Sequence, residues 1–191
     1  LGFGVASPHY EAAGWMPIPL DGKVVKVKGA TGRSGSVTPE KIKDWSTQFP
    51  DANTGVVANG WIAIDVDEHD DKHGAEEFLK LQRKHGKLPK TYKSSARGAE
   101  SLAGQYFFRV EDVVPYESNP APDIEIIHPA HRYSAVAPSE HPVLKTLYTW
   151  YDGDGNALSE IPDVDSLPEL PLGWVLAFSK PEALALDYAQ A

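Results

Sequence analysis

The chain has 191 residues, of which 41% are hydrophobic, and its formal net charge is −9. This length and apolar content are sufficient for one compact domain with its own core, while 16 Gly and 16 Pro indicate many turns between short elements. The lack of Cys excludes disulfides, thiolate metal sites and cysteine nucleophiles, and the acidic charge disfavours a broad basic surface for nucleic acid.

Hydrophobic periodicity, caps and turn signals divide the first third of the chain into short elements. We expect a helix over 8–13 capped by Ser7, an extended segment over 15–20, a strand and Gly-rich loop over 22–35, and a helix over 39–49 capped by Thr38. The Asn59-Gly60 pair favours a type I′ turn. It therefore predicts an antiparallel hairpin of strands over 55–58 and 61–66.

The rest of the chain predicts a long helix, several strands and a helical tail. The segment GAEEFLKLQRKHGKLP has helical periodicity and a stop at Gly86. Strands are expected at about 91–94, 106–110, 124–127, 133–137 and 148–151. We expect a single domain over 1–191, made of an N-terminal αβ unit over about 1–60, a core over about 61–178 and a C-terminal helix over about 179–191.

Two carboxylates stand out in the strand IAIDVD. The period of two places Asp65 and Asp67 on one strand face, opposite Ile62, Ile64 and Val66. Two such carboxylates repel each other unless a cation lies between them, and hard divalent ions such as Mg²⁺ and Mn²⁺ prefer oxygen ligands. A pair of solvated charges at the strand end is the alternative interpretation.

A third carboxylate lies in the strand of DIEIIHPAHRYSAVAPS, where Glu125 is flanked by isoleucines. If this strand neighbours the first, the three acids can form a site that holds two metals for phosphoryl transfer. Asp123 is an alternative, although it is more easily a loop residue. His131 and Arg132 follow closely and suit phosphate binding, with a surface turn around Pro129 as the alternative.

A set of motifs in order carries a resemblance to a known family. The chain contains, in this order, GWMPIPL, KGATG, NTGVV, IAIDVDEH, QYFFRV, IEIIHPAHRYSAVAPSEHP and YTW. From about Tyr10 to Trp150 it resembles the bifunctional DNA primase/polymerase N-terminal (prim-pol) domains of the archaeo-eukaryotic primase superfamily. These domains occur in phage and plasmid replication proteins.

The resemblance implies an α+β fold, with a primase-like catalytic core built on an RNA-recognition-motif-like sheet and an added N-terminal αβ unit. It implies a nucleotidyltransferase that makes and extends primers from nucleoside triphosphates, with Mg²⁺ or Mn²⁺ in a two-metal site. Asp65 and Asp67 match the first acidic motif of the family, and Glu125 matches its third. Together they are the expected catalytic and metal-binding triad.

The second motif of the family usually contains Ser-x-His, whereas this chain reads SLAGQYFFRV with Gln105 in the place of the histidine. Glutamine can hydrogen-bond a phosphate but carries no charge. The expected nucleotide-binding residues are Arg97, Ser101, Gln105, Arg109, His131, Arg132 and Ser139. Three loop residues, Lys28, Thr31 and Arg33, are weaker candidates for template contacts, with a solvated loop as the alternative.

Several softer candidates remain. We expect His141 to lie within reach of a nucleotide sugar or base, and Asn53 is either a ligand contact or a turn residue. Trp15, Trp45, Trp61 and Trp150 are expected in or near the core.

The expected partners are nucleoside triphosphates, a single-stranded DNA template with its primer, and a helicase domain in the same full-length chain. No apolar stretch approaches the roughly 20 residues of a membrane span, so we expect a cytoplasmic protein, in the bacterial host if phage-encoded. Two other functions remain open. One is a nucleic-acid- or nucleotide-binding module with weakened catalysis, and the other is a metal-dependent phosphodiesterase or nuclease.

Overall fold

The computed structural model describes residues 1–111 and 114–180. Its regular elements in chain order are α1 (Phe3–Ala12), β1 (Met16–Asp21), β2 (Val24–Val25), α2 (Pro39–Gln48), β3 (Asn53–Val57), β4 (Trp61–Val66), β5 (Glu68–His69), β6 (Lys72–His73), α3 (Gly74–His85), β7 (Lys93–Ser95), β8 (Gly104–Arg109), β9 (Ile124–Ile127), β10 (Ser134–Val136), β11 (Thr149–Tyr151), a 3₁₀ turn (Val164–Ser166) and α4 (Leu172–Phe178). Within these two ranges, none of the helices has the length and apolar character needed to cross a membrane.

The strands form two larger antiparallel sheets and one small hairpin. The four-stranded sheet has the order β10-β3-β1-β2, the five-stranded sheet has the order β11-β7-β8-β4-β9, and β5 pairs with β6. Helices α1 and α2 pack with β1, whereas α3 packs with β4 and β9. This arrangement confirms the α+β class expected for a primase-like core.

Helix α2 follows the start signals in its sequence. The Thr38 hydroxyl accepts a hydrogen bond from the Lys41 amide at 3.3 Å, and Pro39 occupies the first turn, where a missing N–H costs nothing. Ile42 and Trp45 lie one turn apart and are buried.

A cluster of aromatic rings lies between the two larger sheets. Trp15, Trp61, Trp150 and Phe107 are each at most 2% exposed, and the ring centroids of their contacting pairs lie 4.9–5.4 Å apart. Such pairs add about 0.5–1.5 kcal/mol each to the free energy gained by burying the rings. Trp45 is also buried, so the core positions expected for these tryptophans are confirmed.

Strand β4 is buried on both faces, and its alternation decides where Asp65 lies. Ile62, Ile64 and Val66 pack on the side of α3 and α4. Trp61 and Ala63 face the aromatic cluster between the sheets. Asp65 is next on that second face, so its carboxylate projects to the edge of the space between the sheets.

The predicted hairpin of β3 and β4 was wrong. β3 lies between β1 and β10 in one sheet, and β4 lies between β8 and β9 in the other. Gly60 has the positive φ of 73° that its turn requires, but the turn carries the chain from one sheet to the other. Turn chemistry fixes the local reversal of direction and leaves the pairing to tertiary packing.

The first predicted helix differs from the structure in its start. Helix α1 begins at Phe3 instead of residue 8, because Phe3 is completely buried and Ser7 lies within the helix instead of capping it. Burial of the first turn outweighed the local cap signal. Residues 181–191 of the expected C-terminal helix lie outside the part of the chain that the structure describes.

Candidate active site

A cleft of about 580 Å³ with many polar side chains in its lining lies at the end of the space between the two sheets. The first sheet contributes the turn between β1 and β2, and the second contributes the ends of β4, β7 and β8. The segment after β10 closes one side. Among the residues that line the cleft are Lys23, Asp65, Asp67, His69, Arg97, Gln105, His141 and Tyr148.

Asp65 lies at the centre of the site because β4 is the central strand of the three that carry its polar groups. Its cross-strand partners are Gln105 on β8 and Glu125 on β9. Burial, followed by the charges of Asp67 and Glu125, raises the pKa of Asp65 to about 7, against the opposing effects of Lys23 and a hydrogen bond from Gln105. The adjacency of the strands that carry Asp65 and Glu125 agrees with the expectation from the sequence.

Asp67 follows β4 directly and is fixed through its backbone. Its N–H donates to the Asp123 carbonyl at 3.0 Å, and its carbonyl accepts from the Gly74 N–H at 2.8 Å. A Cβ at position 74 would overlap the carbonyl oxygens of both Asp67 and Asp123, so this approach requires glycine. The Asp67 side chain is 54% exposed, and its Oδ1 lies 3.6 Å from Nε2 of His69.

The Asp123 side chain makes its contacts with the β5–β6 hairpin and does not line the cleft. Its carboxylate accepts from the His73 N–H at 3.0 Å and pairs with Lys72 Nζ at 3.0 Å. The His73 hydrogen bond and then Lys72 lower the pKa of Asp123. Since both oxygens have partners, Glu125 is the better third carboxylate of the site.

Glu125 contacts two residues of the HPAHRY turn. Nε2 of His131 and Nε of Arg132 each lie 3.1 Å from Oε1 of Glu125. Arg132 has a positive φ of 62°, and its guanidinium remains largely exposed. These two predicted phosphate-binding residues thus lie beside the acidic group, and the guanidinium charge of Arg132 is directed to Glu125.

The donor chemistry of Asp65, Asp67 and Glu125 fits a hard divalent cation. The mutual repulsion of the carboxylates raises the pKa of Asp65, and a cation beside them would relieve it. Over residues 1–111 and 114–180, no three His, Asp or Glu side chains are already arranged as a metal-ligand set.

Gln105 and Arg97 occupy the second wall of the cleft. The Gln105 Oε1 atom is buried, and it has no hydrogen-bond partner among the residues with described positions. An unsatisfied buried acceptor is costly, and here it lies in a cleft that a ligand can enter. Arg97 is held through its N–H, which donates to the Ser95 hydroxyl at 3.1 Å.

The loop that carries Arg97 is organised by Lys93, which is only 6% exposed. Its Nζ donates to the carbonyls of Ala99 at 3.2 Å and Ser101 at 2.7 Å. Burial lowers the pKa of Lys93, and these carbonyls stabilise its ammonium. The Ser101 hydroxyl accepts a hydrogen bond from the Ala103 N–H at 3.1 Å. Ser101 was predicted to contact the nucleotide, and in the structure its hydroxyl stabilises this loop.

Other predicted site residues lie away from the cleft lining. Arg109 is four residues from Gln105 along β8, about 13 Å by strand geometry, and pairs with Glu169 at 3.1 Å. Ser139 is 2% exposed, and its hydroxyl bonds both the N–H and the carbonyl of Thr54. The weaker template candidates Lys28, Thr31 and Arg33 lie in the loop between β2 and α2, outside the lining of this cleft.

Two cleft residues were missed as site candidates in the sequence. Tyr148 is buried beside the cleft, with its ring stacked against His141 at a centroid distance of 5.8 Å. Lys23 lies in the Gly-containing turn after β1. The sequence assigned Gly22 and Lys23 to the strand and loop over 22–35, and no local pattern indicates that they form a turn facing carboxylates from another sheet.

The chain matches a known protein family over most of its length. The family model described as bifunctional DNA primase/polymerase, N-terminal, matches residues 7–170, which is well over half of the chain. The match includes β4, β8, β9 and the whole cleft lining described above. Searches of curated proteins and of solved structures gave no significant match.

Proposed function

The chain belongs to the bifunctional DNA primase/polymerase N-terminal family, and from this premise we propose that it is a metal-dependent nucleotidyltransferase that makes and extends primers on a DNA template. Family membership implies a DNA primase/polymerase-type function. The observation that carries the finer proposal is the position of Asp65, between Gln105 and Glu125 on adjacent strands at the cleft. Nucleoside triphosphates and single-stranded DNA are the proposed substrates, in phage or plasmid replication.

The carboxylates of Asp65, Asp67 and Glu125 are the groups that would hold Mg²⁺ or Mn²⁺. When bound, such ions supply electrostatic stabilisation to the attacking and leaving oxygens of phosphoryl transfer. Asp65 gains most from a cation because its ionised form is opposed both by burial and by two neighbouring carboxylates. The three side chains bind and orient, and none of them is a nucleophile.

The proposed reaction joins a primer 3′-hydroxyl, or that of a first nucleotide, to the α-phosphorus of an incoming triphosphate. The bond between the α-phosphorus and the bridging oxygen breaks, pyrophosphate leaves with the electron pair, and the proton of the 3′-hydroxyl passes to water. Arg97 on the cleft wall and the His131–Arg132 pair beside Glu125 are the proposed cationic contacts for the phosphates. Gln105 lines the cleft, and its amide group is the proposed neutral hydrogen-bonding contact for the nucleotide.

A template-dependent incorporation assay with Mg²⁺ or Mn²⁺ tests the proposal. Asp65→Asn and Asp67→Asn should each reduce incorporation by more than about a hundredfold, beyond the 10–100-fold typical of outer-shell groups at metal sites. Asp44→Asn is the matched control, because Asp44 is an exposed carboxylate of α2 without an ion pair among the described residues.

Other outcomes of the assay would identify the competing functions. Wild-type protein that binds nucleotide without incorporating it would be a binding module. Protein that cleaves nucleic acid without added triphosphate would be a nuclease or phosphodiesterase. Normal synthesis by the Asp65→Asn/Asp67→Asn double variant would refute the assignment of these carboxylates.

A further inference from the structure

The turn between β1 and β2 extends one side chain over the cleft. Asp21 and Val24 are paired across the two strands, so Gly22 and Lys23 form a two-residue turn. Gly22 has a φ of 58°, the left-handed conformation that such a turn requires and that glycine adopts without strain. Lys23 is consequently placed at the tip, where its side chain lines the same cleft as Asp65.

Two side chains from distant parts of the sequence hold this tip. Asn53 Nδ2 donates to the Gly22 carbonyl at 3.0 Å. The Tyr133 hydroxyl donates to the Lys23 carbonyl at 2.7 Å and accepts from the Val25 N–H at 3.1 Å. The backbone of the tip is therefore ordered before any ligand binds, which lowers the entropic cost of using Lys23.

The charge of Lys23 has no protein partner over the described ranges, 1–111 and 114–180. By contrast, four other lysines form ion pairs with carboxylates: Lys72, Lys80, Lys90 and Lys145. Lys23 and His141 line the same cleft, and after burial the charge of Lys23 is the next cause of the lowered pKa of His141.

We propose that Lys23 binds the polyphosphate of the incoming nucleotide, and that Asn53 and Tyr133 are positioning residues that hold it over the cleft. The inference rests on the proposed function, because it assigns a residue to the same substrate. A lysine ammonium suits phosphate oxygens as a compact charge with three donors. It supplies the positive charge that the neutral Gln105 amide cannot provide.

Phosphate oxygens could come from a free nucleotide or from the DNA backbone. The nucleotide is favoured because Lys23 lines one cleft with Asp65 and Asp67, two of the proposed metal-binding carboxylates, so a single metal-bound polyphosphate can contact both. A template strand would instead require exposed cations along an open surface. Parallel measurements of binding to a free polyphosphate and to an oligonucleotide distinguish the two sources.

The test measures binding of inorganic tripolyphosphate and of dATP by calorimetry with Mg²⁺, and binding of a single-stranded oligonucleotide by anisotropy. Lys23→Ala should weaken both polyphosphate ligands by about tenfold or more, as expected for a charge-assisted hydrogen bond. Lys23→Arg should retain most of the affinity. Lys43→Ala removes an exposed lysine of α2 far from the cleft and should change nothing.

Tyr133→Phe tests the positioning role. It removes only the hydroxyl, so we expect a several-fold loss of tripolyphosphate affinity at an unchanged melting temperature. The same change in a Lys23→Ala background should cause no further loss, because the two residues act as a unit. Independent, additive losses would overturn the positioning role of Tyr133.

Several results would overturn the assignment of Lys23. These are wild-type tripolyphosphate affinity in Lys23→Ala, a loss confined to the oligonucleotide, and no tripolyphosphate binding by the wild type. The proposed function can fail separately: wild-type protein that binds tripolyphosphate through Lys23 but incorporates no nucleotide would refute only that function. Normal incorporation with an unchanged KM for dATP in Lys23→Ala would refute only the inference.

Discussion

Asp65→Asn should stabilise the protein at pH 8 while removing its activity. The carboxylate is ionised at this pH in a partly buried position beside Asp67 and Glu125, so its charge opposes folding. Asn has nearly the same shape and carries no charge. The contribution of Asp65 to stability is fully present below pH 3.8, where the unfolded chain is also protonated, and is lost as pH rises through about 7.

The size of the effect follows from the rise in the pKa of Asp65 from 3.8 to about 7. Roughly three pKa units at 1.36 kcal/mol each correspond to about 4 kcal/mol at pH 8, as an upper value. For a domain of this size, a gain of 1 kcal/mol raises the melting temperature by about 2–4 °C. A fully expressed effect would therefore raise it by roughly 8–16 °C.

The measurement is urea and thermal unfolding of both proteins from pH 4 to pH 8, in EDTA so that no divalent cation offsets the charge. The difference in the free energy of unfolding should be small near pH 4 and should grow up to pH 8. Asp44→Asn should show no such pH-dependent gain. The electrostatic reasoning would be refuted if Asp65→Asn were no more stable than wild type at pH 8, or if its gain were equal at both ends of the range.

Three further predictions concern the surroundings of the site and the core. Gly74→Ala should destabilise the protein and impair incorporation, because its Cβ would displace the Asp67 backbone, whereas Gly173→Ala, whose Cβ meets its nearest atom at 3.5 Å, should unfold at nearly the wild-type temperature. Burial, and then the charge of His131, lowers the pKa of His128 to about 4, so its contribution to stability is present above pH 6.5 and is lost as pH falls through about 4. His128→Gln should therefore lose less stability than wild type between pH 6.5 and 4 in urea titrations, and an equal loss would contradict this. Phe107→Ala should cost about 3–5 kcal/mol in the same titrations, because it opens a cavity in the aromatic cluster between the sheets, and a cost below about 1 kcal/mol would contradict that packing.

The acidic residues of the site could be predicted because their information is local. The period of two in β4 places Asp65 on the face opposite Ile64, whatever the strand's neighbours are. The strand over 124–127 was predicted with the bounds that the structure has, and an acid in such an apolar strand requires a polar surrounding. Its pairing with β4 then brings Glu125 opposite Asp65.

The remaining parts of the site depend on contacts between distant segments. Gln105 and Arg109 share a strand face in the sequence, but the rings of Phe107 and its neighbours separate the two ends of that face. Ser139 looked like a ligand contact because it follows a motif strand, and only the approach of Thr54 occupies its hydroxyl. The role of Lys23 likewise could not be predicted, because the residues that it faces across the cleft belong to another sheet.

The pairing of β10 with β3 has a consequence for synthesis of the chain on the ribosome. One edge of β3 pairs with β10, in which Val136 lies opposite Thr54. This pairing can form only after Val136 has been synthesised, roughly 80 residues after Thr54. At 5–20 residues per second this interval is about 4–16 s, during which the nascent chain carries an open strand edge. A codon change or a chaperone that alters the pace through residues 58–136 should therefore affect the yield of native protein more than one acting after residue 136.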